Sequence, residues 1–167
     1  MNIFDEKFKY NKLRYILQCL LAVSFVSLAL ILLDAVSNAA IIASLAASSL
    51  IAFTMPEIKA SAPRFLIGGY VVAIVAGSLS YYLSTLAVSR ELFMNHEFMH
   101  EIFGSLAAGL AIFLMVITNT EHPPAVSLAL GLVFNECNLW TITISLGGIT
   151  LMSFIKWALK PYLKNLL

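Results

Sequence analysis

The stretch ITNTEHPPAVSLALGLVF, Ile117 to Phe134, decides the fold. An apolar helix runs into a polar knot, Thr118-Asn119-Thr120-Glu121-His122, and two prolines precede a second apolar run that stops at Asn135. Proline has no N–H to donate and a preset φ, so it suits the first turn of a helix. Pro123 and Pro124 therefore open a new helix rather than kink an old one. At roughly 1.5 Å per residue, Pro123–Phe134 would be about 18 Å long, against a hydrocarbon core of about 30 Å, too short to cross a bilayer alone. A short helix that starts inside a bilayer would turn unpaired N–H groups and the positive end of its dipole toward whatever lies there.

Composition places the surrounding chain in a membrane. Of 167 residues, 60% are apolar and only 11% charged, and the net charge of +1 gives no reason to expect nucleic acid. Residues 1–14 form a basic leader on the cytoplasmic side, and 15–167 form one transmembrane domain. Ile16–Leu33 is the first span, longer than the apolar core of a signal peptide. Ala39–Met55, rich in Ala and Ser, is a second segment. Phe65–Val88 is a third, with Tyr81-Tyr82 suited to the headgroup boundary, and Ser89–Glu101 is a charged connector. Ile102–Ile117 is the fourth span, and Leu139–Leu159, flanked by Trp140 and Trp157, is the last. Cys19 and Cys137 read as packing residues, since two cysteines make no disulfide framework.

The Glu121-His-Pro-Pro-Ala125 stretch, opening a helix of small and apolar residues, resembles the signature of the HPP family of integral membrane proteins. The upstream run Ala47–Leu50 followed by Ala62-Pro-Arg-Phe-Leu-Ile-Gly-Gly-Tyr70 is similar to the family's other hallmark. The resemblance covers roughly Asn38 to the C-terminus. It implies a multi-pass helix bundle and transport, plant members being associated with nitrite.

Residues Ala46, Ser48, Glu57, Gly68 and Gly69 recur 79 positions later as Ala125, Ser127, Glu136, Gly147 and Gly148, and Ser44-Leu45 falls opposite Pro123-Pro124. The reading is all-α: two three-segment repeats, about 15–88 and 102–160, inverted in the membrane, each with a short or discontinuous middle helix. If both short segments cross, every Lys and Arg but Arg90 lies on the side of the termini, as the positive-inside bias prefers. If they re-enter instead, Lys59 and Arg64 move to the far side.

Ionisable groups inside an apolar bundle are costly and usually face a cavity, which singles out His122 and Glu121. A helix start beside an imidazole favours a small monovalent anion. The expected binding residues are His122, Pro123, Pro124, Asn119, Ser44, Ser48 and Ser127, with Ser44 starting a second half-helix that meets the first near midplane. Glu121 and His122 would relay a proton; the alternative puts Glu121 at the aqueous surface. A rival function rests on His96-Glu97-Phe98-Met99-His100, which matches the H-E-x-x-H zinc motif but lacks a recognisable third ligand. The plainer reading makes these residues an interfacial connector helix. A non-transporting scaffold is the third option. The expectation is therefore a non-enzymatic transporter or channel in the cell membrane, with no metal or cofactor. Its partners would be a small inorganic anion and bilayer lipid, with a homo-oligomer left open.

Overall fold

The computed structural model describes residues 6–33, 38–89, 96–135 and 137–166, with side chains from Asn11 onward in the first stretch and from Phe98 onward in the third. Asp34, Arg90, Glu136 and the side chains of His96 and Glu97 lie outside the described residues. The described chain is helical throughout its ordered elements: α1 Glu6–Leu32, α2 Ala39–Thr54, α3 Pro63–Ser89, α4 His96–Thr118, α5 Pro124–Phe134 and α6 Leu139–Ala158. A short 3-10 turn, Lys59–Ser61, lies between α2 and α3. Four segments are long and apolar enough to cross a bilayer: Asn11–Leu32, Pro63–Ser89, Phe98–Thr118 and Leu139–Ala158. This is a multi-pass membrane helix bundle.

The shortest helix occupies the centre. Ala125, Leu128, Ala129, Leu132 and Val133 of α5 are all fully buried, packed among α2, α3 and α4. Backbones approach closely there because small residues face each other. A Cβ on Gly77 of α3 would lie 2.7 Å from the Ala129 carbonyl oxygen, and one on Gly131 would meet Ile41 and Ala40 of α2. The outer faces of α1, α3 and α4 carry Leu13, Ile16, Val23, Ile31, Val75, Leu86, Phe113 and Ile117 exposed, as a lipid-facing surface requires.

Contacts fix the running directions. Gln18 of α1 donates to the Phe53 carbonyl at the far end of α2, and Arg64 at the start of α3 donates to the Thr118 carbonyl at the end of α4. Gly131, late in α5, packs on the start of α2, so these two short helices are antiparallel. The Leu166 N–H donates to the Thr54 carbonyl, and Tyr15 to the Leu166 carbonyl, which brings the C-terminal residues beside the lower part of α1. Helix directions thus alternate along the chain, and 55–62, 119–123 and 159–166 share one end of the bundle with the start of α1.

Three boundaries differ from the sequence reading. Helix α4 begins at His96, because nothing between His96 and Ile102 breaks a helix; the supposed connector helix is its first turns. The leader is already helical from Glu6, interrupted at Asn11 (φ −131°, ψ 29°). Most consequentially, Ser44 lies in the second turn of α2 and starts nothing. The run Ala39–Ala43 has no breaker, so α2 extends upstream to Asn38. Its start meets the end of α5, not the start, and the two half-helix starts do not face each other.

Candidate functional site

The polar knot is first of all a helix stop. Asn119 has φ 52°, the left-handed conformation that asparagine tolerates better than most residues. The Thr120 N–H reaches the Met115 carbonyl at 3.0 Å and the Asn119 N–H reaches Val116 at 3.3 Å, the paired bonds of a Schellman cap. Thr118 Oγ1 bonds back to Leu114 at 2.7 Å and pairs with Thr120 Oγ1 at 2.8 Å. The stop turns the chain back toward the bundle over Gly68 and Gly69. Any larger residue at Gly69 would strike the connector, since its Cβ would lie 2.5 Å from His122 Cβ and 3.1 Å from the Thr120 carbonyl oxygen.

This seating delivers His122, fully buried, to the inner face of α2. Its Nδ1 lies 3.1 Å from the Ala60 carbonyl oxygen and its Nε2 lies 2.8 Å from Ser48 Oγ. Ser48 Oγ is 3.0 Å from the Tyr70 hydroxyl, which accepts from Ser44 Oγ at 2.9 Å. The donor directions follow from the ends. A carbonyl only accepts, so Nδ1 carries the proton; in the neutral ring Nε2 accepts from Ser48, and Ser48 in turn accepts from Tyr70. The result is a single oriented chain, Ser44 to Tyr70 to Ser48 to His122 to Ala60. All four side chains in it are at most 1% exposed. Serines at i and i+4 share a helix face, which is why Ser44 and Ser48 can both reach one tyrosine.

His122 lies in the connector, outside every helical span. Burial pushes its imidazole down to about 4 from the usual 6.5, and the bond to the Ala60 carbonyl opposes this only in part. Glu121 gives the imidazole no help. It sits at the surface, 3.4 Å from Lys59 Nζ, while Lys59 also donates to Asn119 Oδ1 at 2.9 Å and lies over the Phe65 ring.

The expected residues therefore separate. Ser44, Ser48 and His122 come together. Pro124 is buried beneath them and Pro123 caps α5 in a helical conformation. Asn119 is exposed and structural, and Ser127 is exposed on another face of α5. The start of α5 offers no spare donors: its cap Pro123 and first residue Pro124 have no N–H, and the Ala125 and Val126 N–H groups already bond to His122 and Pro123 carbonyls. Only the helix dipole remains from that expectation. Of the zinc motif, His100 packs its ring against Phe134, and no cluster of three metal-binding side chains occurs among the described residues.

Tyr70 and Ala60 were missed by the sequence reading. A tyrosine about two turns inside an apolar span, far from the headgroup boundary, was the available signal for the first. The second contributes only its backbone carbonyl, which no sequence displays.

The family model described as "HPP, transmembrane region" matches residues 9–164. A protein described as a transmembrane protein of Dictyostelium discoideum is 35% identical over 100 residues, which is 60% of this chain and 32% of that protein. The chain thus matches about a third of that relative's length. No solved structure matches.

Proposed function

The chain belongs to the HPP transmembrane family, and from that premise we propose that it carries a small monovalent anion such as nitrite across the membrane together with a proton. The observation that supports this reading is the buried chain Ser44–Tyr70–Ser48–His122, polar throughout and running inward between apolar helices from the end of the bundle that holds the connectors. In the empty site the four groups satisfy one another and the imidazole is neutral. An arriving anion takes the O–H groups of Ser44, Tyr70 and Ser48, at the end of the α5 dipole. A buried anion raises the proton affinity of an adjacent base, so His122 takes up a proton at Nε2 as the anion binds. Neither charge alone is tolerated in the apolar interior; the pair is. Both termini are cytoplasmic in this reading, with Lys59, Lys156 and Lys160 at that end.

The test is flux of nitrite, nitrate, formate and chloride into liposomes holding the purified protein, with and without a pH gradient. An imposed inward proton gradient should accelerate uptake of at least one of these anions. Tyr70→Phe, which keeps the ring and breaks the chain at its centre, should cut that uptake at least tenfold with helix content unchanged. Uptake at the level of empty liposomes, or full uptake in both Tyr70→Phe and His122→Ala, overturns the proposal.

A further inference from the structure

At the end of the bundle that holds both connectors, Lys156 in the last turn of α6 and Lys160 in the turn that follows the helix lie close together. They line a groove of about 470 Å³ together with Lys59, Glu57 and Trp157. Like charges brought close together repel, so a lysine pair bordering a cavity is a site that an anion relieves. Lys156 is held in place: its ammonium donates to the Ser61 carbonyl and, at 2.8 Å, to Ser61 Oγ. Ser61 is itself fully buried and anchored to the Pro56 and Ile58 carbonyls, both at 2.8 Å. Two of the three ammonium protons are thereby used, and one is left for a ligand. Lys160 is exposed and forms no ion pair among the described residues. Lys59 is shared with Glu121, and Glu57 opposes an anion from within the lining. Trp157 is 66% exposed at the same level, an amphipathic ring where a headgroup region would begin.

We propose that this groove binds the phosphodiester of an anionic phospholipid, bridged by Lys156 and Lys160, with the acyl chains running up the apolar surface past Trp157. Basic pockets between spans at a membrane boundary take up such headgroups, and each lysine there is worth about fivefold in binding. The occupant is lipid rather than free phosphate because exposed Trp157 lines the groove and its ring packs on that of exposed Phe154, which extends the apolar surface away from the lysines.

The experiment uses the full chain carrying Trp140→Phe, which leaves Trp157 as the sole tryptophan. The protein is placed in vesicles that mix phosphatidylcholine with phosphatidylglycerol whose chains are brominated near the carboxyl end. Quenching of Trp157 should exceed that from brominated phosphatidylcholine at equal mole fraction. Lys160→Gln, a surface change that leaves the Ser61 anchor intact, should lower the preference about fivefold, and Glu57→Gln should raise it. Equal quenching by the two lipids, or an unchanged preference in Lys160→Gln, overturns the proposal. So does loss of the preference on adding millimolar inorganic phosphate, which would identify a soluble anion as the ligand. The readout requires no transport, so it stands or falls apart from the flux reading.

Discussion

Replacing Gly69 by alanine is the most direct test of how His122 reaches its partners. The new Cβ would lie 2.5 Å from His122 Cβ and 3.1 Å from the Thr120 carbonyl oxygen. Neither atom is the tip of a flexible side chain, so the whole connector has to lift. Overpacking of this kind costs about 1–3 kcal/mol. Lifting His122 also stretches its bonds to Ser48 and Ala60, worth about 0.5–1.5 kcal/mol each in water and nearer 0.6 in a bilayer. Alanine returns about 1 kcal/mol of helix propensity. The net loss is roughly 1–4 kcal/mol, and for a chain of this size each kcal/mol moves Tm by about 2–4 °C. Thermal unfolding in detergent, followed by circular dichroism, should therefore show a fall of about 2–16 °C. Gly147→Ala supplies the control, since a Cβ there meets nothing within 4 Å, and its Tm should hold or rise slightly. Gly68→Ala should fall between them, because the first atom in its way is the Thr120 methyl, which can rotate aside. A wild-type Tm in Gly69→Ala, or an equal fall in Gly147→Ala, would mean the connector is not seated as described.

Three more outcomes are expected. Asn119→Gly should unfold within about 1 kcal/mol of wild type while Asn119→Val loses about 1–2 kcal/mol, because a β-branched residue resists positive φ; equal stability would refute the cap. His122 binds its proton more weakly folded (about 4) than unfolded (about 6.5), so its contribution is complete above pH 6.5 and declines as pH falls toward 4, by up to about 3 kcal/mol. Melting from pH 7.5 to 4.5 should thus show a loss that His122→Gln lessens; parallel profiles for wild type and His122→Gln would refute the neutral imidazole. In a background with Cys19 and Cys137 replaced by alanine, a cysteine at Lys12 and one at Glu121 should be labelled from the same side of the membrane, and one at Asn95 from the other. Labelling of all three from one side would sink the six-segment topology.

The sequence carried the membrane class, the six segments and the break at Pro123-Pro124 because apolar length and proline chemistry are local properties. The bounds of the second segment, Ala39–Met55, agree with α2, but the half-helix start expected at Ser44 does not exist: Ala39–Ser44 holds no breaker, and the sparse identities 79 residues apart put none there. Ser48 and His122 could be picked out individually as polar groups in apolar surroundings. Their meeting could not, since it depends on a glycine pair 20 residues beyond Ser48 letting a connector sink by one side-chain layer. Asn119 illustrates a different limit. Polar residues at the end of an apolar helix read equally as ligands or as caps, and only a backbone dihedral and two carbonyl partners separate the two.

The two glycine pairs bear on whether the bundle holds one site or two. An inverted repeat with matched roles would seat a second connector on Gly147-Gly148, as Gly68-Gly69 seats the first. Instead Gly147 is open and Gly148 is in ordinary contact with Leu45, while Gly68 and Gly69 are crowded to 2.7 and 2.5 Å. Opposite orientation of the two helix triplets adds nothing, because any chain with three crossings in its first half begins its second half from the other side. The identities 79 residues apart thus fall at places with different work. Ser48 is buried and bonds to His122, whereas Ser127 faces outward. Among the described residues His122 is the one fully buried imidazole, so in the proposed transport reading there is a single place where a proton and an anion can neutralise each other. The coupling of proton to anion should accordingly be one to one, and His122→Gln, which keeps a donor but cannot gain charge, should uncouple uptake from the pH gradient before it abolishes uptake. A ratio of two protons per anion, measured from reversal potentials in the same liposomes, would require a second titrating group and would remove His122 from its sole role.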